Sequence, residues 1–271
     1  MKARVAYAFS SPLRPVLYLL SIGIDDYENS TYRLAYSVAD AEAFSSAIAA
    51  KASRLFERVE VKGLRDGQAT KSGVMLALGA IAAAARPEDV LVIFYAGHGI
   101  ALDVPSGDSE FYYVLHGVTQ MTSLERCSTQ GVSASEMRTA LAAIRAKKQV
   151  MFVDACNSGA FASRFTARGA AEETALAKLG RATGVVIVAS TTKDQAAVEA
   201  RELGHGLFTY VLLEAVTEPG KGEITARGLA LRVEELLPVL TAKYRGIRQY
   251  PVTFSIGQDF PLGFHTEGGG R

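Results

Sequence analysis

The chain has 271 residues, 49% hydrophobic and 21% charged, with a formal net charge of +1. That is an ordinary globular composition, which excludes a disordered chain. The near-zero charge gives no electrostatic footprint for nucleic acid or an anionic membrane. Two cysteines, Cys127 and Cys156, are too few for a disulfide framework, so a reduced, cytoplasmic setting is expected.

Residues 1–15 read as an N-terminal arm. Lys2, Arg4 and the short run Val5–Phe9 faintly resemble a signal peptide, but Pro12, Arg14 and Pro15 interrupt it. No run approaches the roughly 20 apolar residues of a membrane helix, so a soluble protein is expected. Val16 to Ile24 is a continuous apolar run closed by Asp25 and Asp26, as in a strand buried on both faces. Asp25 to Tyr36 reads as a loop. From Val38 to Ala52, Val38, Ala41, Phe44, Ile48 and Ala52 recur at helical spacing.

Phe56 to Leu64 alternates as a second strand and ends at Asp66-Gly67. Thr70 is the expected N-cap of a helix running to Ala85, with Pro87 as its stop. Val90 to Gly99 is an apolar run ending at His98 between two glycines. Pro105 to Asp108 reads as a loop and Phe111 to Gly117 as a hairpin arm. Ser133 and Glu136 form a capping box that opens a helix to about Ala146.

Val150 to Gly159 is a second apolar run with a polar, glycine-bounded tip, and it carries Cys156. Ala160 to Thr183 is small and charged without a clear period. A long loop inside a compact domain is usually functional or disordered. Gly184 to Ser190 reads as a strand, Phe208–Val216 and Ala226–Leu240 as helices, and Pro251–Ile256 as a last short strand. Strands alternating with helices imply βαβ units and a mainly parallel sheet covered on both faces. One domain is expected over 16–260, followed by a flexible tail over 261–271.

The ends of neighbouring parallel strands lie side by side, and ligands bind outside them. A histidine and a cysteine at two such tips are candidates for a base and a nucleophile, because a nearby imidazole makes a thiolate available near neutral pH. The alternative is a buried cysteine and a structural turn histidine; on pattern alone the two stand even. A nucleotide-binding α/β protein is disfavoured, because no Gly-rich phosphate loop follows the first strand. The other histidines, His116, His205 and His265, read as structural or surface residues, and Cys127 as an incidental thiol.

Tyr95-Ala96-Gly97-His98-Gly99 and Asp154-Ala155-Cys156-Asn157-Ser158-Gly159 resemble the two signature blocks of the caspase-like cysteine peptidases, closest to the metacaspase and bacterial caspase-homologue branch. Ser21–Ile24, Leu34–Ala41, Ala189–Glu199 and Gly204–Thr209 resemble further family segments in order, so the likeness spans about residues 16–256. It implies an α/β caspase-like fold with a central, mostly parallel six-stranded sheet flanked by helices. It implies His98 as general base, Cys156 as nucleophile, and the backbone N–H groups of Gly99 and Cys156 as the oxyanion hole.

In the same resemblance Asp154 and Asp40 line the primary specificity pocket, with Ser37 at the usual cysteine and Ala96 where many members have serine. Two carboxylates in a closed pocket favour a guanidinium or ammonium and repel an acid, so cleavage after Arg or Lys is expected. Taken alone, Asp40 reads as a solvated acid at a helix start. The acidic cluster of calcium-dependent members is replaced by Tyr112, Tyr113 and Ser163, so no cofactor is expected. Arg164, Arg168, Lys178 and Arg181 lie where the family's cleavable linker falls and are expected processing sites, against the plain alternative of a solvated loop. No recruitment domain precedes the catalytic one, so the trigger is expected from an activating protease, from a regulatory partner or from self-cleavage. The resulting expectation is a zymogen acting on protein substrates in bacterial cell death, stress or antiviral defence. The rival expectation is a non-catalytic interaction module on the same fold.

Overall fold

The computed structural model describes residues 14–157, 185–190, 199–200, 203–220, 222–246, 248–255 and 258–265, the side chains of 156, 157, 199 and 200 excepted. Five parallel strands form the body of the sheet: β1 (Leu17–Gly23), β2 (Val59–Arg65), β3 (Val90–Asp103), β6 (Lys148–Asn157) and β7 (Val186–Ser190). An antiparallel edge strand, β11 (Pro251–Phe254), completes the order β11-β7-β6-β3-β1-β2. These are the six strands expected. A side branch of β4 (Ser109–Val114) and β5 (Val132–Ser133) brings the sheet to eight.

Every residue of β1 is buried. Its sequence, Leu-Tyr-Leu-Leu-Ser-Ile-Gly, has no polar face because both sides of a parallel sheet are covered. On one face, β-strand residues such as Leu20, Ile93 and Met151 pack against α2 (Lys71–Ala84), α3 (Leu124–Gln130) and α4 (Ala134–Ala143). On the other, Leu19, Phe94 and Phe152 pack against α1 (Ser37–Ala52), α5 (Leu207–Thr217) and α6 (Ala226–Arg245). Phe44 of α1 stacks on Phe94 with ring centroids 4.7 Å apart. Each such fully buried side chain contributes roughly 1.5–3 kcal/mol.

The caps follow the sequence. Thr70 Oγ1 accepts the Gly73 N–H at 3.1 Å, and Ser133 with Glu136 closes both bonds of the capping box. Three expectations are corrected. The strand carrying His98 does not stop there: β3 runs on to Asp103, and its last six residues pair antiparallel with β4. Leu124–Gln130 is a helix that the sequence pattern did not single out. Residues 261–264 are not part of a flexible tail, because β12 (Pro261–Phe264) pairs with β10 (Glu223–Thr225), and the Leu262 side chain is fully buried.

Candidate active site

The site is built where β1, β6 and β7 end, across the interior of β3. The parallel register aligns Gly23 with Ala96 and Ala96 with Asp154, a row of small and acidic residues across three strands. Two residues further on, His98 is the register partner of Cys156. Adjacent strands lie about 4.8 Å apart, so the two residues 58 positions apart in sequence become neighbours.

The first loop closes over this row. Asp66 Oδ1 accepts the N–H groups of Asp25 and Asp26, at 2.9 and 2.8 Å. The Asp25 carboxylate then takes the Ser37 N–H at 2.7 Å and the Val38 N–H at 3.2 Å. Tyr36, the N-cap of α1, makes no side-chain cap bond, so Asp25 supplies the missing acceptors from the end of β1. Helix α1 therefore starts hard against the sheet, where a Cβ on Gly23 would collide with Ser37 O and Val38 Cα. That contact buries Ser37 and turns Asp40 inward.

His98 is 5% exposed. Its Nε2 lies 2.8 Å from the Tyr32 carbonyl oxygen. A carbonyl only accepts, so Nε2 carries the hydrogen; Nδ1 of the neutral ring then holds the lone pair. Tyr27 and Tyr32 pack their rings at 5.1 and 6.2 Å from the imidazole. Burial pushes the His98 pKa below its ordinary value, with the Tyr32 bond pulling weakly the other way. The His98 backbone N–H donates to Tyr27 Oη at 2.9 Å, and Tyr95 Oη donates to the His98 carbonyl at 2.7 Å. The flanking glycines are required by contact: a Cβ on Gly97 would lie 2.7 Å from Tyr27 Oη, and one on Gly99 2.5 Å from the Phe111 ring.

Asp154 and Asp40 meet at Gly206. A Cβ there would sit 3.0 Å from Oδ2 of each. Asp154 is 8% and Asp40 3% exposed. Ser190 Oγ and Thr209 Oγ1 donate to the two Asp154 oxygens at 3.0 and 2.9 Å. The Gly206 N–H donates to Asp40 Oδ2 at 3.1 Å, and His205 Nδ1 lies 2.6 Å from Asp40 Oδ1. Both carboxyls thus crowd the N-terminus of α5, where the helix dipole favours negative charge. Burial, reinforced by the Asp154 carboxylate, still pushes Asp40 up to about 9, while the Gly206 N–H and Thr209 hydrogen bonds pull against it.

The structure thus brings together Asp40, Asp154, Ala96 and the start of α1 with Ser37, and sets His98 beside the backbone of Cys156. Asp40 is a buried carboxyl, not the solvated helix-start acid that its pattern taken alone suggests. Of the structural and surface alternatives read for His205, the bond to Asp40 gives it a structural place beside that carboxyl. Ser190, Thr209, Tyr27, Tyr32 and Gly206 were given no role from the sequence; the Ala189–Glu199 likeness contains Ser190 and the Gly204–Thr209 likeness contains Gly206 and Thr209, but neither assigns them one. Cys127 is buried, donates to Met121 O at 3.2 Å and is pushed up to about 12 by burial, so it is an inert thiol. Arg164, Arg168, Lys178, Arg181 and Ser163 lie outside the described residues.

A mostly parallel sheet covered on both faces, with its candidate site at the carboxyl ends of the central strands, is the α/β architecture of the caspase-like fold. The caspase domain family matches residues 18–260, and the chain belongs to that family of cysteine peptidases, whose substrates are proteins. The crystal structure of protein GSU0716 from Geobacter sulfurreducens is similar in fold: TM-score 0.59 at 16% identity, covering 93% of this chain and 98% of that one. No curated protein matches the chain. Among the described residues no helix is long and apolar enough to cross a membrane.

Proposed function

We propose that this protein is a cysteine endopeptidase of the metacaspase-like branch that cleaves after Arg or Lys. The observation that carries the reading is the pair of buried carboxyls, Asp154 and Asp40, beside strands on which His98 and Cys156 are register partners. A cationic side chain entering between the two acids offsets their mutual repulsion, whereas an acidic one compounds it. Arg gains more than Lys because its planar fork can engage both carboxylates.

In this reading the His98 Nδ1 lone pair takes the Cys156 thiol proton. The thiolate attacks the carbonyl carbon of the residue held in the pocket, and the backbone N–H groups of Gly99 and Cys156 stabilise the oxyanion. The C–N bond breaks as the imidazolium returns its proton to the leaving amine. Water activated by the same imidazole then hydrolyses the acyl-enzyme on Cys156. Ser37 and Ala96 shape the pocket walls. Processing at Arg164, Arg168, Lys178 or Arg181 would release a zymogen, and a cytoplasmic role in bacterial cell death, stress or defence follows by family analogy.

The test is a panel of fluorogenic peptides differing only at the residue before the scissile bond, cut by the wild type and by Cys156→Ala. Faster cutting after Asp than after Arg would reject the specificity. Cleavage surviving in Cys156→Ala would reject the nucleophile. A wild type that cuts none of them, with an unchanged phenotype in Cys156→Ala, would favour a non-catalytic module on the same fold.

A further inference from the structure

We infer that His205 is a specificity-determining residue of the acidic pocket: it holds the Asp40 carboxyl and takes its proton when a cationic side chain enters. The inference rests on the pocket reading above and deepens it. The geometry is direct. His205 and Gly206 form strand β9, paired with β8 (Glu199–Ala200) and running straight into α5. That strand places the imidazole against Asp40, with Nδ1 2.6 Å from Asp40 Oδ1. Asp40 Oδ2 has the Gly206 N–H, and each Asp154 oxygen has a hydroxyl.

Two carboxylates about one glycine apart do not both ionise cheaply. In the empty pocket Asp154 carries the charge and Asp40 keeps its proton, the Asp40 O–H donating to the neutral Nδ1 of His205. The charged or titratable groups acting on Asp40 are Asp154 of β6 and Asp25 at the end of β1, both raising its affinity for a proton, with His205 in direct contact. When a guanidinium enters, the Asp40 O–H bond breaks and a His205 Nδ1–H bond forms. The second carboxylate is then unmasked without any proton leaving for solvent. The occupied pocket holds two carboxylates, one imidazolium and one guanidinium, and its charges balance. The His205 side chain is about a quarter exposed and burial pulls its pKa below the ordinary value, so the imidazolium is held by the ionised Asp40 carboxylate beside it rather than by solvent.

The probe is benzamidine, a cation that is not cleaved, titrated calorimetrically at pH 7.5 in phosphate and in Tris, whose ionisation heats differ. The intact protein is expected to bind it with much less than one proton released. His205→Gln keeps a hydrogen-bonding group but cannot store the proton, so Asp40 must surrender it to solvent. From a pKa of about 9 that weakens binding on the order of tenfold or more at pH 7.5, with about one proton released. Benzamidine binding alike to both proteins, or the wild type releasing a full proton, would overturn the inference while leaving the pocket in place. No binding to the wild type, or binding undiminished in Asp154→Asn, would remove the pocket itself and the inference with it. His205→Phe, equal in bulk, is expected to match His205→Gln in affinity; a His205→Phe protein that binds as the wild type does would mean that only ring volume matters.

Discussion

Nε2 of His98 donates to the carbonyl oxygen of Tyr32 across 66 residues of chain, at 2.8 Å. This one bond fixes the tautomer, and the surrounding Tyr27 and Tyr32 rings keep the imidazole neutral. A base with a lowered pKa stays unprotonated to lower pH, so the acid limb of kcat/KM for an Arg peptide is expected below pH 6.5. The same group affects folding. The unfolded chain binds a proton at His98 more readily, so stability falls as pH drops below about 6.5. A limb centred above 6.5 would contradict the geometry, and His98→Ala is expected to lower kcat by about 10³-fold or more.

Tyr27→Phe removes the acceptor of a buried backbone N–H. Leaving it unpaired is expected to cost about 1–3 kcal/mol in urea unfolding. If the hydroxyl only fills space, the loss will be under 0.5 kcal/mol.

Asp40→Asn separates charge from shape. In the fold the Asp40 pKa is about 9, against an ordinary value of 3.8. The folded form therefore holds a proton that the unfolded form has lost, and wild-type stability declines as pH rises through that window. The asparagine variant lacks this slope. Its stability advantage over wild type is expected to grow between pH 5 and 8 by roughly 1–4 kcal/mol, while KM for Arg peptides rises at least tenfold. Parallel stability curves would show that Asp40 is ionised in the empty pocket.

Gly206 has φ −62° and ψ 143°, a conformation open to any residue. Gly206→Ala is therefore expected to fold, with its methyl pressed against Asp40 and Asp154. KM for Arg peptides should rise about tenfold or more with a smaller change in kcat; an unchanged KM would place the substrate elsewhere. Gly99→Ala differs, because its methyl meets the Phe111 ring in the core, and about 1–3 kcal/mol of stability is expected to go.

Calcium dependence is expected to be absent. Tyr112 and Tyr113 are buried in β4, where they pair with β5, and offer no carboxylates to a hard cation. Full activity in a chelator checks this; abolished activity would reverse it.

What the sequence disclosed was local. The fully buried β1, the Thr70 cap and the Ser133–Glu136 box are written in adjacent residues, and each appears as read. Gly97 and Gly99 misled in one respect: glycines usually punctuate a strand, but here they admit Tyr27 and Phe111, and the strand continues. The pairs β8–β9 and β10–β12 contain two to four residues each and owe their existence to distant partners, so no periodicity announces them. The His205–Asp40 contact spans 165 residues and could not be seen in either neighbourhood. The likeness to family segments pointed to His98, Cys156 and both acids, but not to the carbonyl, hydroxyl and imidazole groups beside His98 and the acids.

Strand β3 is bonded on both sides at His98, to β6 through one ladder and to β4 through another. The imidazole consequently rides on the least compliant part of the molecule, and amides around it should exchange only when the whole sheet opens. Accommodation of peptides of differing shape then falls to the opposite wall, the short β9 hairpin and the first turn of α5, where a small backbone adjustment leaves the base undisturbed.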